Sequence, residues 1–469
     1  MSETRTAGSI PRGLADDLVR ELRGGVVQPA DTSYDEHRRV WNGSIDRRPG
    51  LIARCADVDD VRTVVRRVRD HPVGAPVAVR SGGHSFPGLS VCDDGIVIDL
   101  SLMRGITVDP VAQTARVQAG VLLGELDQAT QELGLAVPSG IVTHTGVAGL
   151  TLGGGIGWIM RKYGLTIDNM LGADVVTADG ELVRASADEN AELFWGLRGG
   201  GGNFGIVTEF EFQLHPVGPT VLAGPIFWHM ADSPEVLRFY RDWIAEAPDE
   251  LMTIVTHRKA PAAAFVPEEL HGAPVVGITC CYTGPIEDGE AVIKPLRSFG
   301  SPVLDLCRPK HYLEHQSMFD PSFPPGWWYY MRACDVAELT DDVIDITVEH
   351  AQRIRSPLTN FPIWQLGGAV SKVPDDATVF NSRNAGFGFN IAATTASEAG
   401  FDKEREWVRD FWGALAPYHT SVYVNFLMEE GDDRVRQAYG DVKYDRLRAL
   451  KRQWDPDNFF RLNQNIPPD

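Results

Sequence analysis

Arg80, Ser81, Gly82, Gly83, His84 and Ser85 follow one another directly. The run before them, residues 76–79, carries two valines and predicts a strand. Adjacent glycines can take positive φ and let the backbone come close to a ligand. Successive backbone N–H groups in such a turn form an anion-binding concavity, and Arg80 and Ser81 add donors. That set suits a pyrophosphate, with the His84 imidazole at its far edge. An ordinary strand-to-loop turn ending in a surface histidine has the same string, so the rest of the chain must decide.

Residues 138–157 are rich in Gly and Thr. Such a run packs poorly as core, and a close ligand is a physical reason for it. Further on, Gly200-Gly201-Gly202-Asn203-Phe204-Gly205 matches G-x-G-x-x-G. A dinucleotide loop of that pattern must open a helix. Residues 206–212 alternate like a strand instead, which argues against a nicotinamide site. No phosphate-binding G-x-x-x-x-G-K-[ST] string occurs.

Several motifs stand in order: residues 79–87 with 95–101, the glycines 153–157, Gly164 to Asn169, Leu193-Phe194-Trp195 through Gly205, and the tail 455–465. Together they resemble the berberine-bridge-enzyme-like oxidases, which belong to the vanillyl-alcohol-oxidase flavoproteins. The resemblance implies an α+β fold. A PCMH-type FAD-binding domain of two α/β subdomains would occupy residues 1–215. A substrate-binding domain with an antiparallel sheet backed by helices would occupy 216–420, and 421–469 would return to the FAD-binding domain. It implies FAD joined to His84 through the 8α-methyl. The FAD would be held further by Arg80, Ser81, Gly82, Gly83, Ser85, Thr143, Gly146, Gly149, Gly154, Gly157, Asp168, Asn169, Ile206, Val207, Asn463 and Asn465. The implied reaction removes a hydride and a proton from a small alcohol, amine or activated C–H, with dioxygen reoxidising the flavin to give hydrogen peroxide. A dehydrogenase using another acceptor and a flavin-holding protein without turnover are the alternatives.

Three positions depart from the family pattern or bear on it. Many members make a second link through a cysteine where this chain has Val142, so a single link is expected, as in one-link bacterial members. Many carry Tyr-x-Asn-Tyr, with the last tyrosine as base, where this chain has Tyr423-Val424-Asn425-Phe426. Tyr423, Asn425, His144 and Gln365 are then the candidate catalytic residues, with Tyr329 a further candidate. The residue beside the flavin, often valine in the oxidases, falls near Thr145. Trp327, Trp328, Tyr329, Tyr330 and Trp364 supply aromatic walls that suit an aromatic or polycyclic substrate; Trp328, Tyr330 and Trp364 are the expected substrate contacts. Arg332 and Arg383 have the charge to read an anionic group, but each reads first as a solvated surface position.

The elements that must position these groups are legible in part. The 469 residues, 43% hydrophobic, suffice for two or three domains and a large core. Residues 14–22 read as helical. Asp57 predicts the N-cap of a helix with Val61, Val64, Val65 and Val68 on one face. Residues 96–100 and 114–120 read as strands, and Leu123, Leu126, Ala129 and Leu133 mark a helix ended by Gly134. Residues 174–177 and 206–214 follow as strands. Composition breaks at 215–219. Beyond it, Ser233 predicts an N-cap with Pro234 at the first helical position. Strands are expected at 275–282, 364–370, 386–393 and 421–427, and helices near 288–299, 341–354, 397–415 and 432–453.

A net charge of −20 argues against nucleic acid or an acidic membrane surface as partner. No apolar run approaches the roughly 20 residues that span a bilayer. Residues 1–12 are polar and lack the apolar stretch of a signal peptide. Six cysteines over this length make no disulfide framework, and Cys280-Cys281 reads as part of a buried strand. Cys55, Cys92, Cys307 and Cys334 lack metal-ligand spacing, so no metal is expected. The expectation is a cytoplasmic monomer or homodimer acting on a small molecule.

Overall fold

The computed structural model of the chain describes residues 10–71 and 74–469; residues 1–9, most of the polar start, lie outside them. Arg12–Glu21 forms the first helix. The Asp57 carboxylate accepts the backbone N–H groups of Asp59 (3.0 Å) and Asp60 (3.1 Å) and starts helix Val58–Asp70. Val61, Val64, Val65 and Val68 are buried in one core with Leu51, Val77, Ile96 and Ile98. Those last four belong to a sheet ordered Val26–Val27, Leu51–Arg54, Ile96–Asp99, Val77–Arg80. Its three longer strands are parallel.

A second, antiparallel sheet is ordered Ile106–Asp109, Thr114–Gln118, Ile206–Gln213, Met170–Val176, Leu182–Ser186. Ile206–Gln213 follows the glycine run as a strand, so the G-x-G-x-x-G match opens no helix. The core of these sheets also takes Tyr439, Leu447, Leu450, Phe460 and Ile466 from the end of the chain. One helix was expected over 432–453. The chain forms two, Asp432–Tyr439 and Asp441–Trp454, because Gly440 at φ +73° ends the first.

Among the described residues the largest sheet is antiparallel and holds nine strands. Its centre is ordered Thr220–His229, Pro274–Tyr282, Leu251–Lys259, Asn360–Gln365, Phe387–Thr395, Trp328–Val336. Helices Ser233–Ile244, Ile286–Arg297, Asp341–Ala351 and Phe401–Ala414 contribute Leu237, Ile293, Val343 and Phe411 to the core on one face. The other face meets residues from the Gly-rich segment, with Ile254 and Trp364 packed among Ile141, Ile156 and Trp158. All six cysteines are buried and free, and Cys280 and Cys281 lie inside Pro274–Tyr282. Among the described residues no helix is long and apolar enough to cross a membrane.

Three further expectations need correction. The strand placed at 364–370 is Asn360–Gln365, and Ala369–Lys372 is a helical turn. Ser233 sits inside its helix, where its Oγ lies 2.9 Å from His257 Nε2 and Asp232 takes the cap position. The strand expected at 421–427 stops early: His419–Ser421 pairs at the sheet edge and Val424–Phe426 is a 3-10 turn. Tyr423 and Asn425 bond the Gly-rich segment instead of extending the ladder.

Burial pushes the His315 imidazole down to about 3, and both its ring nitrogens lack partners. The unfolded chain would take up that proton near the ordinary histidine value of about 6.5. Between the two values the unfolded state holds more protons, so this group's contribution to stability is lost as pH falls below about 6.5. Asp127, pushed up to about 7 by burial, acts oppositely between about 4 and 7. His315→Phe is therefore expected to weaken the acid dependence of the unfolding free energy by up to about 1.4 kcal/mol per pH unit below pH about 6.5. Denaturant melts over that range check this; identical slopes would show that His315 does not fold as a buried neutral ring.

Candidate active site

The strand Val77–Arg80 ends at a buried ion pair. Arg80 Nη2 lies 2.7 Å from Asp99 Oδ2, and its Nε 3.3 Å from Oδ1, on the neighbouring strand. The guanidinium also donates to the His37 carbonyl. Just after it, Gly83 takes φ +69°. Among the described residues, no protein acceptor takes the backbone N–H groups of Gly82, Gly83, His84, Ser85 or Phe86. Successive free N–H groups of this kind make a concave anion site.

His84 follows in that loop. Its Nε2 lies 2.6 Å from His144 Nδ1, and its Nδ1 3.4 Å from Thr145 Oγ1. The ring stacks on Trp41 at 4.7 Å, and Trp41 stacks on Tyr329 at 3.8 Å. Burial, then the nearby His144 ring, hold the His84 imidazole well below its ordinary value. Burial lowers His144 as well, against the pull of Asp320. Both rings are neutral near pH 7, so one donates and the other accepts.

Gly82 and Gly146 meet back to back. A Cβ on Gly82 would stand 2.3 Å from Gly146 N, and one on Gly146 2.4 Å from Gly82 N. That contact brings the His84 loop onto the Gly-rich segment and helps to close a cavity of about 350 Å³. The loop, the Gly-rich segment, Gly201, Gly202 and Gly205 to Val207, the turn Tyr423 to Leu427 and Phe460, Leu462, Asn463 and Gln464 of the tail line it, with Trp364 and Asn390 from the large sheet. A Cβ at Gly149 or Gly202 would meet no protein atom within 4 Å, and both line the cavity. Tyr439 Oη, Trp364 Nε1, Asn390 Oδ1 and Asn463 Oδ1 are buried on the lining without a partner. Buried polar atoms are normally paired, so these await a ligand with polar groups.

The structure brings many of the expected residues to this cavity. Ser81, Gly82, Gly83, His84, Ser85, Gly146, Gly149, Ile206, Val207, Trp364, Tyr423, Asn425 and Asn463 line it, as do Val142 and Thr145. His144 reaches it only through His84. Other expected residues lie elsewhere. Arg80 offers no side-chain donors, because Asp99 and His37 take them. Ser81 stays on the lining, but its Oγ is taken, donating to the Ala119 carbonyl at 2.6 Å. Thr143 bonds Asp320 through its N–H and hydroxyl. Asp168 is bidentate to Arg383 (2.6 and 2.7 Å). Arg383 is thus a fully buried ion-pair partner and no surface residue. Asn169 holds the Tyr163 and Leu165 carbonyls. Gly154 packs behind Tyr423, and Gly157 faces the Ser139 carbonyl, which a Cβ would strike at 1.7 Å. Asn465 is off the lining, and Gln464 stands there instead.

Strand alternation decides the aromatic residues. Trp364 faces the cavity, so Gln365 points away and hydrogen-bonds Thr253 Oγ1 at 2.9 Å. Trp328 and Tyr330 pack into the helix-side core, Trp328 edge-on to Phe401. Tyr329, on the opposite side, is the residue that reaches Trp41, and its hydroxyl donates to the Pro324 carbonyl at 2.6 Å. Arg332 pairs with the buried Glu430. Trp41, Phe86, Phe323 and Pro362 complete the wall. Phe86 belongs to the His84 loop, but no local motif marks Trp41, Phe323 or Pro362, since each comes from a distant loop or strand.

A parallel βα unit beside an antiparallel sheet, a turn with free N–H groups and a large mixed cavity under a third sheet suit a flavin-dependent oxidoreductase. Family models described as "FAD binding domain" and "Berberine and berberine like" match residues 49–186 and 422–467. An FAD-linked oxidoreductase of Dictyostelium discoideum is 33% identical over 460 residues, 97% of each chain. The (R)-6-hydroxynicotine oxidase of Paenarthrobacter nicotinovorans is 32% identical over 468 residues, covering 96% of this chain and 97% of that one. The crystal structure of 6-hydroxy-D-nicotine oxidase from Arthrobacter nicotinovorans superposes with a TM-score of 0.86 at 32% identity, over 96% of this chain and 98% of that one. The chain belongs to the berberine-bridge-enzyme-like FAD-linked oxidoreductases. The free N–H run, the open glycines and the unpaired polar atoms fit FAD as its cofactor.

Gly146→Ala is expected to lower thermal stability and the flavin retained per chain together, since backbone opposes the new methyl and no side chain alone can give way. Melting temperature and the visible absorbance of purified protein check this. Normal values for both would mean that the loop and the Gly-rich segment can part at no cost.

Proposed function

We propose that this protein is an FAD-dependent oxidase of a small aromatic or polycyclic alcohol, amine or activated C–H, with dioxygen as final acceptor and hydrogen peroxide as product. One observation carries the reading: a single cavity joins His84, the free N–H groups of its loop and the Tyr423 hydroxyl. Residues 1–215 and 421–469 would hold the cofactor, and 216–420 would cover the substrate. When bound, FAD supplies the acceptor for the substrate's hydride. His84 would hold it covalently. Val142 offers no thiol, so the link is single.

Tyr423 takes the substrate's proton. Gly155 N–H (2.9 Å) and Asn425 Nδ2 (2.8 Å) both donate to its phenol oxygen, which favours the charged form. Burial outweighs them and pushes the phenol up to about 12. The reactive form therefore grows as pH rises. Phe426, the position that carries the phenol in many members, stacks edge-on to Tyr423 at 4.8 Å and contributes only wall.

Intact mass of the denatured protein tests the linkage. One added FAD, mapped to the peptide containing His84 and lost in His84→Ala, is expected; an unmodified mass would refute it. A panel of alcohols, amines and phenols, followed by peroxide formation in air and by dye reduction without oxygen, tests the oxidase reading. Reduction of dye with no peroxide would make the protein a dehydrogenase.

Tyr423→Phe is expected to lower kcat/KM by about 10²–10⁴-fold at unchanged flavin content. The wild-type rate should climb with pH from neutral into the alkaline range, and the variant's profile should be flat. Equal rates would show that the proton leaves without Tyr423.

A further inference from the structure

Among the described residues, no Asp, Glu, Lys or Arg lines the cavity. Its titratable side chains are His84, Tyr423 and Tyr439. Burial holds His84 in its neutral form and raises both phenols, so the wall carries no formal charge near pH 7. Outside the free N–H groups of the His84 loop, which suit the cofactor's phosphates, a charged ligand group would leave water and meet no counter-charge, which is strongly unfavourable.

Two polar atoms at the roof lack partners. Trp364 comes from Asn360–Gln365 and Asn390 from the adjacent strand Phe387–Thr395; the strands pair Trp364 with Gly388 and Ile363 with Phe389. Both residues line the cavity, 4% and 7% exposed. The Trp364 indole N–H can only donate, and the Asn390 amide oxygen can only accept. Neither has a partner. Around them the wall is aromatic: Phe426 lies 6.4 Å from Trp364 and 4.8 Å from Tyr423, with Phe323 and Phe86 beyond.

We propose that Trp364 and Asn390 form the specificity pair of this site and select an uncharged, flat substrate. Such a substrate offers an acceptor to the indole N–H and a hydroxyl or N–H to the Asn390 oxygen. Carboxylates are excluded, and amines enter only as the free base. This rests on the oxidase reading above and narrows its substrate class. A site that leaves a buried polar group unpaired rejects a ligand lacking the matching group far more strongly than an apolar pocket rejects a changed methylene.

The test uses flavin-loaded wild type, Trp364→Phe and Asn390→Leu, with binding read by calorimetry. The probes are 4-hydroxybenzaldehyde and 6-hydroxy-2-naphthaldehyde, held at about pH 6 where their acidified phenols stay protonated, as neutral ligands, 4-carboxybenzaldehyde at the same pH as an anion, and benzylamine across pH. A neutral probe is expected to bind at least about 100-fold tighter than the carboxylate. Benzylamine affinity should fall about tenfold for each pH unit below the amine's own pKa, because only the free base is competent. Each variant should lose about tenfold or more toward the neutral probes while keeping wild-type melting temperature. Tight carboxylate binding, benzylamine binding indifferent to pH, no binding by either neutral probe, or variants that bind as wild type does would each overturn the pair. Visible absorbance of the same samples reports separately on the oxidase reading. A wild type without flavin refutes that reading, whereas retained flavin with indifferent variants refutes only this pair.

Discussion

Gly82 and Gly146 pass with their backbones in contact, and the site depends on that contact. A side chain on either would drive the His84 loop off the Gly-rich segment. With both glycines in place, His144 and Thr145 stand against the two nitrogens of His84. The Arg80–Asp99 pair sets the other side of the loop. It pins the end of the parallel strand, and the N–H groups beyond it find no ladder partner. The binding surface is thus made of backbone, and side-chain charge serves to place it.

The N-terminal arm ties this loop to the large sheet. Trp41 lies between His84 and Tyr329, and its indole donates to the Phe323 carbonyl at 2.7 Å. Next to it, the Asn42 amide donates to the carbonyls of Phe86 (2.7 Å) and Tyr329 (3.0 Å). Stacked pairs of this kind add about 0.5–1.5 kcal/mol each beyond burial. Their position matters more than their sum, because they join the His84 loop to the sheet that roofs the cavity.

Charge is distributed in the same spirit. The chain carries a net charge of −20, and three of its buried ion pairs stand off the cavity lining: Arg80 with Asp99, Arg383 with Asp168, Lys451 with Asp455. Such pairs add little net stability but are costly to break, by about 3–5 kcal/mol when one partner is lost. They act as fixed joints, and the cavity they frame stays uncharged.

Local rules made part of the protein legible from its residues alone. The Asp57 cap, the valine stripe after it, the strand Ile206–Gln213 and the loop at His84 each follow from neighbours within a few positions, and the ordered motifs carried family and cofactor. What side chains do with their donors was not legible. Arg80 and Asp168 stand inside cofactor motifs, but Asp99, 19 positions on in the neighbouring strand, and Arg383, 215 positions on, take them. Nor was the facing of the aromatic strand, where one step of alternation sends Tyr330 to the helices and Tyr329 to Trp41. Motif and period are properties of a short stretch of chain. Which buried polar group pairs with which, and which strand face meets the cavity, are settled only when segments hundreds of residues apart compete for the same space.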